Sequence, residues 1–370
     1  MKYANCFLLL LLSFSAMNAK QIDVYFGTSG RETKGIYHST FDTETGKLSP
    51  ANLAAEIGSP GFLAMDPDQE MLYAVGKLEE DCVAAYKIGS GGKLTFVNAK
   101  NIGDGGAAHV SVHPSQKFLM TAQYGGGSVA VFPLHSDGSL YDRSQLIEHQ
   151  GGSGVVEGRQ DSPHPHYVGW AQDGRYAFVP DLGLDKIMIY KVNEKNASIS
   201  EHGFAQSVPG GGPRHMKFSV DGKHIFLLNE LALSVTTFAY DAKAGTTERK
   251  TTTPALTEEE KARQAFNSSA EILVHPNGKF VYSSNRGDDT VSLYWANKES
   301  GHLARKDVEN VRGAFPRNIN LDPTAKWLLA AGQQSNTIAV FAVDQKSGEM
   351  IHQTGNNINV PGPICILFKD

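Results

Sequence analysis

The feature that most constrains this chain is an internal repeat of about fifty residues, which restricts the fold to an array of similar units. A turn that leads into a strand recurs as Asp66-Pro67-Asp68, His113-Pro114-Ser115, Asp173-Gly174-Arg175, Asp221-Gly222-Lys223, His275-Pro276-Asn277 and Asp322-Pro323-Thr324. Measured from the Pro or its equivalent (67, 114, 172, 220, 276, 323), the spacings are 47, 58, 48, 56 and 47 residues. A second phrase, an alternating apolar strand running into a turn and Gly-x-Leu or a variant of it, ends at Leu48, Leu94, Leu140, Ile199, Thr247, Leu303 and Met350. Its spacings are 46, 46, 59, 48, 56 and 47, so both registers lengthen at the same two places, as insertions into a uniform array require. The last residues, Pro361 to Phe368, look like the opening strand of a repeat, and Ile22 to Thr28 look like the strand that should follow it. One repeat is therefore split between the two ends. A linear stack has no need of that arrangement, whereas a ring uses it to remove its exposed edges. The expected fold is all-β, a seven-bladed β-propeller whose ring closes by pairing of the N- and C-terminal strands. Six or eight blades are the nearest alternatives; two β-sandwiches fit the strands but not the period.

The two longer spacings place extra chain at Gln145 to Ser162, read as a loop, and at Thr257 to Phe266, read as a short helix. Thr257 and Glu260 there make a capping box behind an acidic first turn. Composition fits a soluble globular protein, with 41% hydrophobic and 20% charged residues, and 38 glycines suit many tight turns. With 34 Lys and Arg against 39 Asp and Glu, the net charge of −5 offers no basic field for nucleic acid. Lys2, the apolar run Phe7 to Leu12 and the small residues up to Ala19 read as a signal peptide over 1–19, followed by a single propeller domain over 20–370. The apolar run is too short to span a membrane, so export to the periplasm or medium is expected. Cys82 and Cys365 lie in apolar strand-like runs and read as two buried thiols, with no zinc-type spacing. The sequence sets no oligomeric state.

In a propeller the starts of the innermost strands and the ends of the next strands meet at one mouth of the central channel. Strand starts bring His109, His164, His166, Arg214, His215, Glu271, Arg317 and Asn318 there; strand ends bring Gln123, Tyr124, Asp181, Asn229, Glu230, Asn285 and Arg286. Desolvating so many charged groups is unfavourable without a purpose, so this mouth is the candidate site for a small, oxygen-rich, anionic ligand. Blander roles stand beside that reading: Asp181 as a turn cap, Arg214, Glu230 and Arg286 as an ion-pair network joining blades, and His113 and His275 as turn residues at the far end.

Arg159-Gln160, His164-Pro165-His166, Asp181-Leu182-Gly183-Leu184-Asp185, Gly212-Pro213-Arg214-His215, Asn229-Glu230-Leu231, Ser284-Asn285-Arg286-Gly287 and Phe315-Pro316-Arg317 occur in that order along the mature chain. Together they resemble the bacterial propeller-type 6-phosphogluconolactonase family, a relative of the fungal 3-carboxy-cis,cis-muconate lactonizing enzyme. The resemblance implies a seven-bladed propeller acting on a lactone ring, with His166, Arg214, Glu230 and Arg286 as catalytic residues. Substrate contacts are then expected from Tyr124, Arg159, Gln160, His164, Asp181, His215, Asn285 and Arg317. The chain departs from the family pattern at Gln123-Tyr124, where Asn-Tyr is usual, and at Val155-Val156-Glu157-Gly158, where Pro-Asn precedes Arg-Gln.

These residue types suit lactone hydrolysis. Water attack needs a proton acceptor, Glu230 or His166, and a cationic donor for the carbonyl oxygen as it becomes anionic, Arg214 or Arg286. No Gly-x-Ser-x-Gly elbow supports a covalent serine route, and the scheme calls for neither a metal nor a cofactor. The expected partner is a small-molecule sugar-acid lactone, phosphorylated or not. A muconate-type cycloisomerase and a non-catalytic periplasmic binding module are the alternatives.

Overall fold

A computed structural model of the chain describes residues 20–370; the expected signal peptide lies outside the described residues. Seven antiparallel sheets form, one for each repeat. Each has at least four strands, and the innermost strands of successive sheets adjoin one another around the channel. The first blade runs outward as Pro363–Lys369, Gln21–Thr28, Gly35–Asp42 and Asn52–Glu56, so its innermost strand comes from the other end of the chain. Val24 pairs with Phe368 and Phe26 with Ile366, which closes the ring as the split repeat requires.

The strands bury apolar side chains on both faces because each blade packs against two neighbours. Seven apolar clusters result, one at each junction between blades. Cys82 and Cys365 are free thiols buried in the junction between the first two blades.

The two sequence phrases meet each other across these junctions. An aromatic residue from the first phrase donates to a carbonyl in the second phrase of the next blade: Tyr73 Oη to Gly138 O at 2.8 Å, Tyr282 Oη to Gly348 O at 2.8 Å and, across the closing junction, Trp327 Nε1 to Thr43 O at 2.8 Å. His113 and His275 likewise bond forward to Gly174 O and Ala325 O, as turn residues at the far end of the channel. Tyr282→Phe strands a buried carbonyl and is expected to lower stability by about 1–3 kcal/mol, read as a lower urea midpoint at unchanged slope.

Both insertions differ in detail from the sequence reading. The segment read as a loop begins with a strand, Gln145–Glu148, which pairs with Ser128–Val131 as the outer edge of the third blade; the remainder is loop. The helix is a single turn, Glu258–Lys261, with its capping box in place: Thr257 accepts from Glu260 N, and the Glu260 carboxylate accepts from Thr257 N at 2.6 Å. It stops early because Asn267 Nδ2 donates to the Lys261 carbonyl at 2.7 Å and turns the chain. No helix among the described residues is long and apolar enough to cross a membrane.

One irregularity shapes the channel mouth. Near their entry ends, the innermost strands shift register between Gly58 and Phe62, Ala107 and His109, Pro213 and Met216, Ser269 and Ile272, and Pro316 and Asn318. In a regular strand neighbouring side chains face opposite ways, but a bulge re-aims them. Arg214 with His215, and Arg317 with Asn318, can therefore both reach the channel.

Candidate active site

A cavity of about 920 Å³ opens at this mouth. Its wall is divided by charge. Later blades supply Arg159, His166, Arg214, Glu230, Arg286 and Arg317, whereas the opposite wall combines small neutral residues such as Gly58, Gly61, Ala107 and Ala108 with one residue of each charge, Lys77 and Asp81.

Glu230 is the hub of the cationic wall. It follows the strand His224–Asn229, and its N–H donates to Gly212 O at 2.7 Å. Its Oε2 accepts from Arg214 Nε at 2.9 Å and faces Arg286 Nη2 at 3.1 Å, while Oε1 accepts from Arg159 Nη2 at 2.8 Å. Burial opposes ionisation, but Arg286, Arg214 and Arg159 together hold the carboxyl down to about 2. Arg214, only 2% exposed, also donates to Ala270 O, and Arg286 donates to Ser269 O at 3.1 Å and sits over the Phe315 ring. Burial, and after it the charge of Arg286, lower Arg214 to about 9 and Arg317 to about 10, so both remain cationic at neutral pH.

Arg317 has a different status. Its side chain makes no hydrogen bond or ion pair among the described residues, although it lines the cavity. Four guanidiniums thus surround one carboxylate, leaving a surplus of positive charge that an anion would neutralise.

His166 lines the same cavity. Neither of its ring nitrogens has a hydrogen-bond partner, and Nδ1 is fully buried, so the ring's open edge is at Nε2. Burial, then Arg214, His215 and Arg317, keep its pKa well below the usual histidine range. At neutral pH His166 is an uncharged imidazole with a lone pair to offer.

Of the candidate residues, the cavity wall brings together Tyr124, Arg159, His166, Arg214, His215, Glu230, Arg286 and Arg317. Gln160, His164, Asp181 and Asn285 stand behind it. Gln160 is buried and pins the inserted loop by donating to Leu182 O and Asp185 Oδ1, which delivers Arg159 to Glu230. Asp181 Oδ1 accepts from the N–H groups of His164, Gly183 and Leu184, and its Oδ2 pairs with His149 Nδ1 at 2.6 Å, so it organises the turn. Asn285 is committed to Thr290, Ser292 and Ser269 within its own blade. His164 stacks on Tyr124 at 4.6 Å, and Tyr124 Oη accepts from Arg159 Nη2 at 3.4 Å. Lys77, Asp81, Phe62, Phe266 and the small residues of the opposite wall are site residues that the sequence reading does not find. The starts of the first two blades carry no ionisable group, so a search for polar strand starts passes over them.

The chain matches the family model described as lactonase, 7-bladed β-propeller, over residues 23–368. The chain belongs to this lactonase family. Among curated proteins, the lactonase is similar to the 6-phosphogluconolactonase of Bacillus subtilis, 34% identical over 93% of this chain and 98% of that protein. It is also similar to the 6-phosphogluconolactonase of Formosa agariphila, 32% identical over 87% of this chain and 92% of that protein. Among solved structures, the periplasmic gluconolactonase of Pseudomonas aeruginosa superposes with a TM-score of 0.87 at 28% identity, covering 95% of this chain and 99% of that one. The lactonase is an enzyme of the ester-hydrolysing kind, and its expected fold and family both hold.

Proposed function

We propose that the enzyme hydrolyses the ring ester of a hexonic-acid lactone outside the cytoplasm, with His166 as the proton acceptor and the arginine cluster as the anion-stabilising wall. The observation that carries this reading is the pairing of a neutral, cavity-facing imidazole with guanidiniums fixed around Glu230. Glu230 is a poor base, since a carboxylate held near 2 by three arginines has little affinity for a proton at neutral pH. Its work is to fix the arginines.

In the reaction, His166 Nε2 takes a proton from water as the water oxygen attacks the lactone carbonyl carbon. The carbonyl oxygen becomes anionic and is met by the uncommitted N–H groups of Arg214 and Arg286. The intermediate collapses, the ring C–O bond breaks, and the proton on His166 passes to the departing ring oxygen. The carboxylic acid product then ionises and releases one proton to solvent.

The test is acid release in a pH-stat by the mature protein on glucono-δ-lactone and on its 6-phosphate, after subtraction of spontaneous hydrolysis. Release above background supports the reading, and none on either lactone overturns it. The surplus positive charge favours a substrate with an anionic substituent, and the unpartnered Arg317 is its expected grip. Arg317→Ala is expected to lower kcat/KM on the 6-phosphate about 10-fold to 100-fold more than on the unphosphorylated lactone. Equal losses on the two would remove the role. Export is supported by the leader pattern in the sequence and by the periplasmic gluconolactonase among its relatives, and fractionation of the native host checks it.

A further inference from the structure

Beneath His166 lies a buried polar chain that the hydrolytic scheme does not use. Glu271 Oε1 lies 2.9 Å from His215 Nδ1 and also accepts from Ile272 N at 3.0 Å; its Oε2 accepts from Asn318 Nδ2 at 2.7 Å. Asn318 cannot reverse its amide freely, because its Oδ1 accepts from Ile366 N at 2.9 Å. Three donors thus converge on one carboxylate that is almost completely buried. Burial opposes its ionisation, but His215 and Lys217 outweigh it, and Glu271 stays a carboxylate. Burial lowers His215 to about 4, so at neutral pH its ring carries a single proton; because a carboxylate can only accept, that proton sits on Nδ1, and Nε2 is left with a lone pair.

That lone pair has no partner. His215 Nε2 is buried and unbonded, and so is Nδ1 of His166. The two rings are neighbours, with centroids 5.2 Å apart and planes at 62°. Two orphaned nitrogens on adjacent buried rings call for an explanation, since buried polar atoms are normally paired. A donor on one and an acceptor on the other would satisfy both after a modest ring rotation.

We infer that Glu271 and His215 are positioning residues for His166: Glu271 fixes the tautomer of His215, His215 Nε2 accepts from Nδ1–H of His166, and the lone pair of His166 is thereby kept at Nε2, toward the cavity. The inference rests on the lactonase reading for the use made of that lone pair. Its account of the tautomers stands independently. Each member orients the next, as in other carboxylate–histidine pairs that hold a base in one tautomer. The charged and titratable groups around the two rings are Arg214, Lys217, Arg317, His109, Tyr124 and Tyr167; Tyr167 packs on the ring of His215 with the Lys217 ammonium over its own face, and the hydrogen bond at His215 Nδ1 goes to Glu271.

Glu271→Leu is the discriminating variant. Leucine fills a similar volume and offers no acceptor, so nothing on that side holds the proton on His215 Nδ1. The chain of donors is then broken at its first member. The expected result is a loss of kcat of about 10²-fold or more at nearly unchanged KM, with the variant still folded by its melting temperature. A kcat within threefold of the parent overturns the inference. The second measurement needs no activity: ¹⁵N-histidine NMR of the parent at pH 7 is expected to show both His166 and His215 protonated at Nδ1 and bare at Nε2. A His166 protonated at Nε2 overturns the inference, whatever the kinetics of any variant. Absence of lactone hydrolysis in the parent would sink the lactonase reading while the spectrum still decides the tautomers.

Discussion

Glu230→Gln is expected to reduce lactone hydrolysis by about 10³-fold and to destabilise the fold by about 3–5 kcal/mol at neutral pH, although Glu230 takes no proton in the reaction. The carboxylate holds Arg159, Arg214 and Arg286, which come from the inserted loop and from two different blades. With the charge removed, four cavity-lining guanidiniums face one another without compensation, and their geometry around the carbonyl oxygen is lost. The linkage has a definite sign. Glu230 has a folded pKa of about 2 against an ordinary 4.5, so its stabilisation is complete above pH 4.5 and disappears as pH falls from 4.5 toward 2. The shift corresponds to about 3 kcal/mol, in line with the cost of breaking a buried ion pair. Urea midpoints measured from pH 7 to pH 3 should fall more steeply for the parent than for the variant. A variant with parental activity and parental midpoint would show that the arginines hold their places unaided.

The second large effect is expected at His166. His166→Gln should lower kcat by about 10³-fold, within the range for loss of a general base. The parent's pH profile should carry the same information. Burial and the nearby arginines keep the imidazole neutral well below its ordinary pKa of 6.5, so kcat/KM is expected to hold level from pH 8 down through 6.5 and to fall only in more acid solution. The unfolded chain takes up its proton first as pH drops, so the neutral, buried ring also contributes stability above pH 6.5 that is lost on acidification. An acid limb centred at 6.5 or higher would assign the proton transfer to another group. In His166→Gln the residual rate should lose this limb altogether.

The ring was legible because the feature that builds it is periodic. Two independent phrases with matching spacings point to seven blades, and the likeness of Pro361–Phe368 to the opening strand of a repeat points to the closing pair. The site was legible to a lesser depth. Strand starts and ends placed Arg214, Glu230, Arg286 and Arg317 at one mouth, but strand position alone cannot tell a side chain that faces the cavity from one that faces its own blade. Asp181 and Asn285 lie at that mouth and spend their hydrogen bonds on turns and neighbouring strands. Glu271 shows the opposite case. It is one position among several polar strand starts, and its importance emerges only when His215 and Asn318, from two other blades, are seen to converge on it. Local sequence carries no record of such convergence, because the three residues are separated by 56 and 47 positions. The bulges add to the difficulty, since alternation would send Arg214 and His215 to opposite faces.

The seam that closes the ring also sets how the molecule responds to force. Asp23 lies opposite Lys369, so the outer ends of the two seam strands sit side by side. Tension applied at these two points pulls along the direction of the hydrogen bonds and loads them one pair at a time. The propeller is therefore built to unzip from its first blade, with the remaining junctions exposed in turn, and its mechanical strength is set by single ladder rungs while its thermodynamic stability draws on all seven apolar junctions.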